Sequence, residues 1–424
     1  MQEALLHYIW GNSLFDDIEY TADTGEKIKI LKPGSHNHDG GPDFTNAKIF
    51  IDETLWAGNV EIHIKSSDWQ NHGHHNDAAY DNVIIHIAEN IDSTCISNSG
   101  RWIPSIQLNY NRQIEYKYNK LVNSLGLIGC SDSLGRLDRS LLTFWLSALA
   151  IERLYSKTLI IMNTLSNSGN SWEDAFYIHL ARSFGLKINS VPFEMLAKST
   201  PLKILLKHCN NLTRLEALIF GQAGFLDGKP VDSYHSLLQK EYRFLKNKYS
   251  LKSIEVYLWK FLRLRPFNFP TIRLAEFSSL IFNSKNLFSV TLDCQNSNQL
   301  YEIFRYQVSD YWKNHYTFGN ASMEKEKFVG HQTIDSIIIN VIIPFMFIYG
   351  GQKNNQELKE RAIRLLEEIV PENNNIIRKW KAFNIEPRHA ADSQALLQLS
   401  LEYCAKKKCL DCQIGNLILR KIQV

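Results

Sequence analysis

Two carboxylates and two basic side chains follow one another within a short stretch of the chain. Asp43 comes directly after Pro42, and Glu61, His63 and Lys65 occupy alternate positions further along. Divalent cations such as Mg²⁺ and Mn²⁺ prefer hard, negatively charged oxygen ligands, which Asp43 and Glu61 would supply. His63 or Lys65 could then activate a water molecule or stabilise developing charge. We therefore predict a Mg²⁺ or Mn²⁺ site at Asp43 and Glu61, with His63 and Lys65 as its catalytic partners.

A second group of candidate metal ligands follows in a polar loop. His72, His74 and His75 lie close together, and Asp77 and His86 come after them. Imidazole is the commonest side-chain ligand of transition metals, so this spacing could hold Zn, Mn or Ni. The loop would then lie at the rim of the first site, or it would form a separate His-ligated centre. A solvated polar loop without a metal has the same composition.

Three cysteines near the C-terminus have the spacing of a metal site. Cys404, Cys409 and Cys412 are separated by four and then two residues, and a Cys-x2-Cys pair lets two sulfurs reach one ion from a tight turn. A fourth ligand must come from elsewhere, and Cys130 is the first candidate and His389 the second. The group predicts zinc or an iron–sulfur cluster. Buried, reduced thiols are the alternative.

Arginines alternate with aromatic side chains and prolines in residues 259–277. Arg263, Arg265 and Arg273 would suit phosphate contacts beside stacking rings, so we predict nucleic-acid binding there. The alternative is that these arginines pack against the end of a helix and hydrogen-bond its carbonyl groups.

The candidate ligands of the first site depend on predicted strands. Strict alternation predicts a strand in which Val60 and Ile62 enter a core, while Glu61, His63 and Lys65 face away from it. The same reasoning predicts a leading helix, a hairpin and further strands, at residues 1–10, 17–31, 45–52, 56–65, 82–90 and from 101 onward.

Helical periodicity dominates the chain from residue 137 onward. We therefore expect an N-terminal mixed α/β domain at residues 1–110, a linker at 111–136, and a large all-helical domain at 137–424 that carries the C-terminal cysteines. Strands that follow one another before a long helical region are typical of a chain with separate α/β and helical domains.

Charge is distributed unevenly along the 424 residues. The first 100 residues hold 5 Lys against 16 Asp and Glu, a net charge of −11, which leaves +14 on the rest of the chain. Eight of the 14 His also lie in this acidic part, which is therefore rich in metal ligands. The basic remainder suits DNA or RNA as a partner, although it could also be an ordinary soluble surface.

The chain is expected to be cytoplasmic. Its N-terminal residues lack the basic region and cleavage site of a secretory signal, and seven Cys do not form an even disulfide framework. The apolar run from Ile334 is interrupted by Asn340 and Pro344, so it predicts a buried helix rather than a membrane span. No feature of the sequence indicates the oligomeric state.

The pattern Pro42-Asp43 followed by Glu61-Ile62-His63 resembles the motif of the PD-(D/E)XK nuclease superfamily, with His63 where that family has Lys. The resemblance implies a restriction-endonuclease-like core of helix, three strands, helix and strand. It also implies an acid on the first helix, where this chain has Glu3, and metal-dependent cleavage of phosphodiesters.

Longer blocks, among them GPDFTNAKI, GNVEIHIKSSDW and YCAKKKCLDCQIG, resemble the uncharacterised bacterial family known as domain of unknown function 2851, which implies no activity. We predict a divalent-metal-dependent nuclease or phosphodiesterase. One alternative is a non-catalytic, nuclease-like binding or assembly module. The other is a metalloenzyme acting on a small substrate, with His63, His72, His74 and His86 around one ion.

Overall fold

The computed structural model describes residues 2–420, which form two compact units. The first unit runs from the N-terminus to Leu142 and also includes the segment from Leu399 onward. The second unit covers Thr143–Gln398. The mixed α/β class and the large helical region expected from the sequence are both confirmed.

The division between the units differs from the one expected at residues 111–136. The helix Gln113–Val122 buries Ile114, Tyr118 and Leu121 in the same core as the strands, so this stretch belongs to the first unit and is no linker. Leu419, close to the C-terminus, is buried in that core as well. The C-terminal segment, with its cysteines, therefore folds with the strands rather than with the helical region.

A seven-stranded mixed sheet forms the framework of the first unit. Its strands are β1 (Glu19–Thr21), β2 (Lys27–Lys32), β3 (Ser35–His36), β4 (Phe44–Ile51), β5 (Thr54–Lys65) and β6 (Val83–Asn90), followed, after the hairpin of β7 (Cys95–Ile96) and β8 (Trp102–Ile103), by β9 (Ser105–Ile106). The order across the sheet is β1-β2-β4-β5-β6-β9, and β3 pairs with β4. Pairs among the first five strands are antiparallel, whereas β6 is parallel to both β5 and β9.

The two ends of this sheet approach each other. The backbone N–H of Asp23, just after β1, donates to the Ser105 carbonyl at 3.0 Å, and the Ser105 N–H donates to Asp23 Oδ1 at 2.7 Å. These bonds satisfy polar groups that an open sheet edge would leave to water. The sheet is therefore nearly closed.

Short helices pack around the sheet. They are α1 (Glu3–Gly11), α2 (Asp68–Asn71), α3 (Gln113–Val122) and the C-terminal helix Gln413–Arg420. Leu5, Leu6 and Ile9 of α1 are buried in the main core, while Glu3 and His7 remain half-buried on another side of the helix. A spacing of four residues places Glu3 and His7 on one face of α1.

Both faces of β5 are buried from Val60 to His63. Val60 and Ile62 point into the main core, as the alternation predicts. The opposite face carries Glu61 and His63, which are only 5% and 2% exposed. A second, smaller apolar cluster lies in the same unit and consists of Trp69, Val83, Cys95 and Ile103. The polar face of β5 is thus enclosed by protein, where a half-exposed strand would leave it in water.

The second unit is helical apart from one short hairpin of β10 (His315–Thr317) and β11 (Asn320–Ala321). The helices assigned to it, the first of which begins in the first unit, are Arg139–Asn167, Trp172–Phe184, Ser190–Ser199, Leu202–Leu206, Leu212–Gln222, Ser233–Tyr249, Pro270–Asn283, Leu287–Asp293, Ser297–Glu302, Asp310–Lys313, His331–Ile337, Ile343–Gln352, Gln356–Glu368, Asn375–Lys381 and Ala390–Gln398.

The apolar run predicted to be a buried helix is helical from His331 to Gln352, with a π-helical turn at Ile338–Ile342. By length and composition alone this helix could cross a membrane, but 67% of its most apolar window is buried within the protein. Core helices of soluble proteins meet the same criterion, so the helix is weak evidence for a membrane span.

Candidate metal centre

Asp43, just before β4, and Glu61 on β5 lie side by side and each accepts a hydrogen bond from the backbone of the other segment. The N–H of Ile62 donates to Asp43 Oδ2 at 2.9 Å, and the N–H of Asp43 donates to Glu61 Oε2 at 3.0 Å. This exchange occurs where Asp43 enters β4, and Phe44 is paired with Val60 of β5. The two carboxylates that the sequence pattern singled out are therefore neighbours in space.

The charge of Asp43 is balanced from α1. His7 Nε2 lies 3.3 Å from Asp43 Oδ2. Burial alone would raise the pKa of Asp43, but the imidazole of His7 and the Ile62 N–H hold that pKa below its usual value. Burial would likewise lower the pKa of His7, yet the carboxylates of Asp43 and Glu3 raise it. Asp43 and His7 thus form a charge pair at one side of the site.

Glu61 faces imidazole rings on its other side. Its Oε1 lies 3.2 Å from His74 Nε2 and 3.6 Å from His63 Nε2. Burial raises the pKa of the Glu61 carboxyl, the charge of Asp43 adds to that rise, and the contact with His74 opposes it. Because a buried carboxylate is costly without a compensating charge, this position favours a cation close to Glu61.

His63, His72 and His74 bring three ring nitrogens within 4.8 Å of one another. His63 comes from β5, His72 ends α2, and His74 begins the 3₁₀ turn His74–Asn76. His72 Nδ1 lies 3.2 Å from His63 Nε2. Gly73, between the two loop histidines, has a left-handed φ of 79°, which a residue with a side chain rarely adopts. This turn lets both rings approach His63.

His86 stands behind His63 and orients it. His63 Nδ1 lies 2.9 Å from His86 Nε2, and His86 Nδ1 lies 3.3 Å from Ser105 Oγ. Burial lowers the pKa of His86 to about 3, so its ring is neutral. If Nδ1–H of His86 donates to Ser105, its Nε2 accepts from Nδ1–H of His63, which leaves the lone pair of His63 Nε2 facing the other histidines.

The donor set fits a transition-metal ion. Burial and the neighbouring His74 and His72 lower the pKa of His63 to about 4, so its imidazole is neutral and can bind a metal. His74 Nε2 is buried and, within residues 2–420, has no hydrogen-bond partner, although it lies 3.2 Å from Glu61 Oε1. A cation between these two atoms would satisfy both the buried imidazole nitrogen and the carboxylate oxygen.

Aromatic rings enclose the imidazoles. Tyr80 stacks on His74 with ring centroids 3.9 Å apart, and Trp69 meets both His74 and His86 edge to face. Burial raises the pKa of Tyr80 to about 12, so its hydroxyl stays protonated. Of the three clustered histidines only His72 is exposed. A ligand would therefore reach the site past His72.

Two residues predicted for the site lie elsewhere. His75 is outside the group of three, and its Nε2 lies 2.8 Å from the side-chain nitrogen of Asn76. Lys65 is exposed at the end of β5. Glu3, His7 and His86 also lie around the site. Glu3 was expected only from the nuclease resemblance and His86 only as a ligand in the small-substrate alternative, whereas His7 was not predicted. The signals for them were an acid and a histidine one helical turn apart on α1, and one histidine within an apolar strand.

The three arginines predicted to bind nucleic acid differ in their surroundings. Arg273 is buried, pairs with Glu276 at 2.8 Å and also donates to Asn268 and Thr333. Its guanidinium is therefore engaged inside the second unit, as the packing alternative expects. Arg263 and Arg265 are exposed.

A cavity of about 1360 Å³ also lies within the second unit. Two of its cations, Arg182 and Lys198, pair with Glu194 of the same lining, and Lys157 donates to Asn340 at 2.8 Å. Burial lowers the pKa of Lys157 to about 7, so its amino group is readily deprotonated near neutral pH. Further cations in the lining are Lys187 and Lys203.

The predicted cysteine ligands meet in the first unit. Cys130, Cys404, Cys409 and Cys412 all line one small cavity, whereas His389 belongs to the second unit. Cys130 is thus the cysteine that tertiary structure brings to the C-terminal group.

Comparison with known proteins identifies a family but no characterised relative. The family model described as "Protein of unknown function (DUF2851)" matches residues 3–375. Neither a curated protein nor a solved structure matches the chain.

Proposed function

The chain belongs to the DUF2851 family, and because that family is one of unknown function, we propose an activity from the site alone. The protein is a metal-dependent phosphodiesterase that hydrolyses nucleic acid. Its ion is held by His63, His72 and His74 with Glu61 beside them. The observation that carries this proposal is the set of three imidazole nitrogens within 4.8 Å of one another, next to a buried carboxylate.

The ligand types favour a transition metal over Mg²⁺. Neutral imidazoles suit Zn, Mn or Fe, whereas Mg²⁺ prefers carboxylates and water. Asp43 supports the site without needing to bind the ion, since Oδ2 accepts the Ile62 N–H and faces His7. The Mg²⁺ or Mn²⁺ site predicted at Asp43 and Glu61 is therefore revised to a His-rich site in which Glu61 remains a neighbour of the ion.

The side chains around the ion have separate tasks in hydrolysis. A divalent ion held by His63, His72 and His74 would supply a Lewis acid that lowers the pKa of water and stabilises negative charge. Glu61, beside these histidines, would act as the base, and the raised pKa of its carboxyl makes it a better one. His86 holds the ring of His63, and the paired His7 and Asp43 keep Glu61 in position through the Asp43 N–H.

The order of elements supports a phosphodiester substrate. The helix α1 is followed by the antiparallel strands β2, β4 and β5, then by α2, and then by β6 parallel to β5. The PD-(D/E)XK resemblance implies this order, with Asp43 and Glu61 on neighbouring strands and Glu3 on the first helix. The substitution of the expected Lys by His63 agrees with the change from Mg²⁺ to an imidazole-ligated metal.

One observation favours a small substrate instead. Glu61 and His63 are almost fully buried, and access runs past the exposed His72. A nucleic-acid strand needs a wider opening than a small phosphate ester does. A metalloenzyme acting on a small ester is therefore the second candidate, and the choice of substrates in the assay separates the two.

The test combines metal binding with hydrolysis. Protein treated with a chelator is titrated with Mn²⁺, Zn²⁺, Fe²⁺ and Mg²⁺ and then assayed on single- and double-stranded DNA, on RNA, and on a small aryl phosphodiester. We expect binding of one transition-metal ion per site and cleavage of a nucleic acid that depends on that ion. Cleavage of the small ester alone would support the second candidate.

Two variants in the same loop form a matched pair. His72→Ala removes an exposed ligand without disturbing the core and should abolish hydrolysis and the binding of metal at the histidines, whereas His75→Ala should leave both unchanged. If the wild-type protein binds no metal and cleaves nothing, the enzyme hypothesis is wrong and the non-catalytic alternative stands.

A further inference from the structure

Four cysteines that are far apart in the sequence surround one small cavity of about 20 Å³. Cys130 follows α3, and Cys404, Cys409 and Cys412 come from the segment that leads to the C-terminal helix. None of them forms a disulfide. Such a cavity is about the size of one water molecule or ion. Cys130 comes from a separate part of the chain and brings the number of cysteines around the cavity to four. Zinc and iron–sulfur sites commonly have four cysteine ligands.

Two glycines allow the backbone to close around this cavity. A Cβ atom at Gly415 would lie 2.0 Å from the Cys409 carbonyl oxygen, and one at Gly129 would lie 2.3 Å from the Leu121 carbonyl oxygen. Neither position has room for a side chain. Glycine at these two positions therefore lets both cysteine-bearing segments pack more closely than a residue with a side chain would allow.

A tight turn sets the spacing between Cys404 and Cys409. The N–H of Lys408 donates to the Tyr403 carbonyl at 2.9 Å, and Lys407 has a left-handed φ of 54°. The ammonium group of Lys407 also donates to the Ser124 carbonyl at 3.1 Å. These bonds fasten the turn to the end of α3, close to Cys130.

The surroundings suit thiolates that bind a cation, because a metal displaces the thiol protons when it binds. Four thiolates around one centre leave a net negative charge, and Lys407 and Lys408 both line the cavity. Their positive charges would offset that excess.

We propose that Cys130, Cys404, Cys409 and Cys412 hold a thiolate-ligated metal centre, either a zinc ion or an iron–sulfur cluster, that fastens the C-terminal segment to α3. The x4-then-x2 spacing occurs in ferredoxin-type clusters, and its Cys-x2-Cys part also occurs in zinc sites. Within residues 2–420 no three of these sulfurs lie within 4.8 Å of one another, so a zinc ion would draw the thiol side chains inwards, whereas a cluster would need the cavity of about 20 Å³ to widen. This proposal does not depend on the proposed hydrolase function.

The experiment measures the metal that the full-length protein contains. The protein is purified without oxygen and without chelators, and its iron, acid-labile sulfide and zinc are determined per chain alongside its visible absorption. We expect either one zinc per chain at this site or iron with an equal amount of labile sulfide and a visible charge-transfer band. The two results distinguish the two forms of the centre.

Variants assign the metal to the cysteines. Cys130→Ser and Cys412→Ser should each lose the bound metal, whereas Cys209→Ser, a half-buried cysteine in the second unit, should retain it. His72→Ala separates this metal from the hydrolase site, because it should leave zinc or iron at the cysteines unchanged. Wild-type protein without thiolate-bound metal, or the same metal content in all three cysteine variants, would overturn the proposal. If the serine variants fail to fold, the wild-type metal content alone decides.

Discussion

His63 Nδ1 lies 2.9 Å from His86 Nε2, on neighbouring parallel strands inside the first unit. Both rings are almost fully buried and the pKa values of both are lowered, to about 4 and about 3, so neither carries charge at neutral pH. If His86 donates its Nδ1–H to Ser105, its Nε2 accepts from His63 Nδ1–H. Nε2 of His63 is then left as a metal ligand.

Removing His86 should weaken metal binding without removing a ligand. His86→Phe keeps the volume of the ring but loses the acceptor for His63 Nδ1–H, so we expect metal affinity to fall by about 10–100-fold. Competition with a chelator of known affinity measures the change. His86→Gln, which can still accept a hydrogen bond, should recover part of the loss. Equal affinities in the wild type and His86→Phe would show that His86 only fills space.

Gly58 allows β5 to approach β6 closely enough to hold the site. A Cβ atom there would lie 2.3 Å from Ile84 Cγ2 and 2.7 Å from the Asn82 carbonyl oxygen. We expect Gly58→Ala to lower the free energy of unfolding by about 1–3 kcal/mol through overpacking, and to weaken metal binding because Glu61 and His63 shift with the strand. Chemical denaturation and metal titration measure the two effects. Gly40→Ala has open space around it and should change neither.

Glu216 should make the stability of the second unit depend on pH. This carboxyl is fully buried beside the Tyr234 hydroxyl, and burial raises its pKa from 4.5 to about 7. A raised pKa in the folded state means that stability is greatest below pH 4.5 and is lost as the pH rises towards 7. The loss should be roughly 2–4 kcal/mol. Denaturation midpoints across this range should fall for the wild type and stay level for Glu216→Gln, and parallel slopes would contradict the assignment.

Arg273 is expected to act in folding rather than in nucleic-acid binding. Arg273→Ala leaves Glu276 buried without its partner, which should destabilise the protein by about 3–5 kcal/mol. Replacing both residues, as in Arg273→Met with Glu276→Met, should restore much of the loss. Arg265 is exposed, so Arg265→Ala should leave thermal stability unchanged. Any loss of nucleic-acid affinity in that variant would then reflect a lost contact with the nucleic acid.

Local patterns allowed much of the first unit to be predicted. The hairpin turning near Gly25, the strands β4 and β5, and β6 all lie within a few residues of the expected positions, because alternation and turn residues act over short distances. The boundary between the two units was harder to predict from the sequence. It depends on where α3 and Leu419 are buried, and burial between segments hundreds of residues apart leaves no periodic signal.

The candidate site shows the same difference. The sequence by itself determined that Glu61 and His63 share one face of a strand, because side chains in a strand alternate, and that Cys404, Cys409 and Cys412 lie within reach of one another. Only the tertiary structure decided that this face is buried, that His72 and His74 join it while His75 does not, and that Cys130 completes the other group. Such contacts arise from packing between distant segments, which no spacing along the chain can encode.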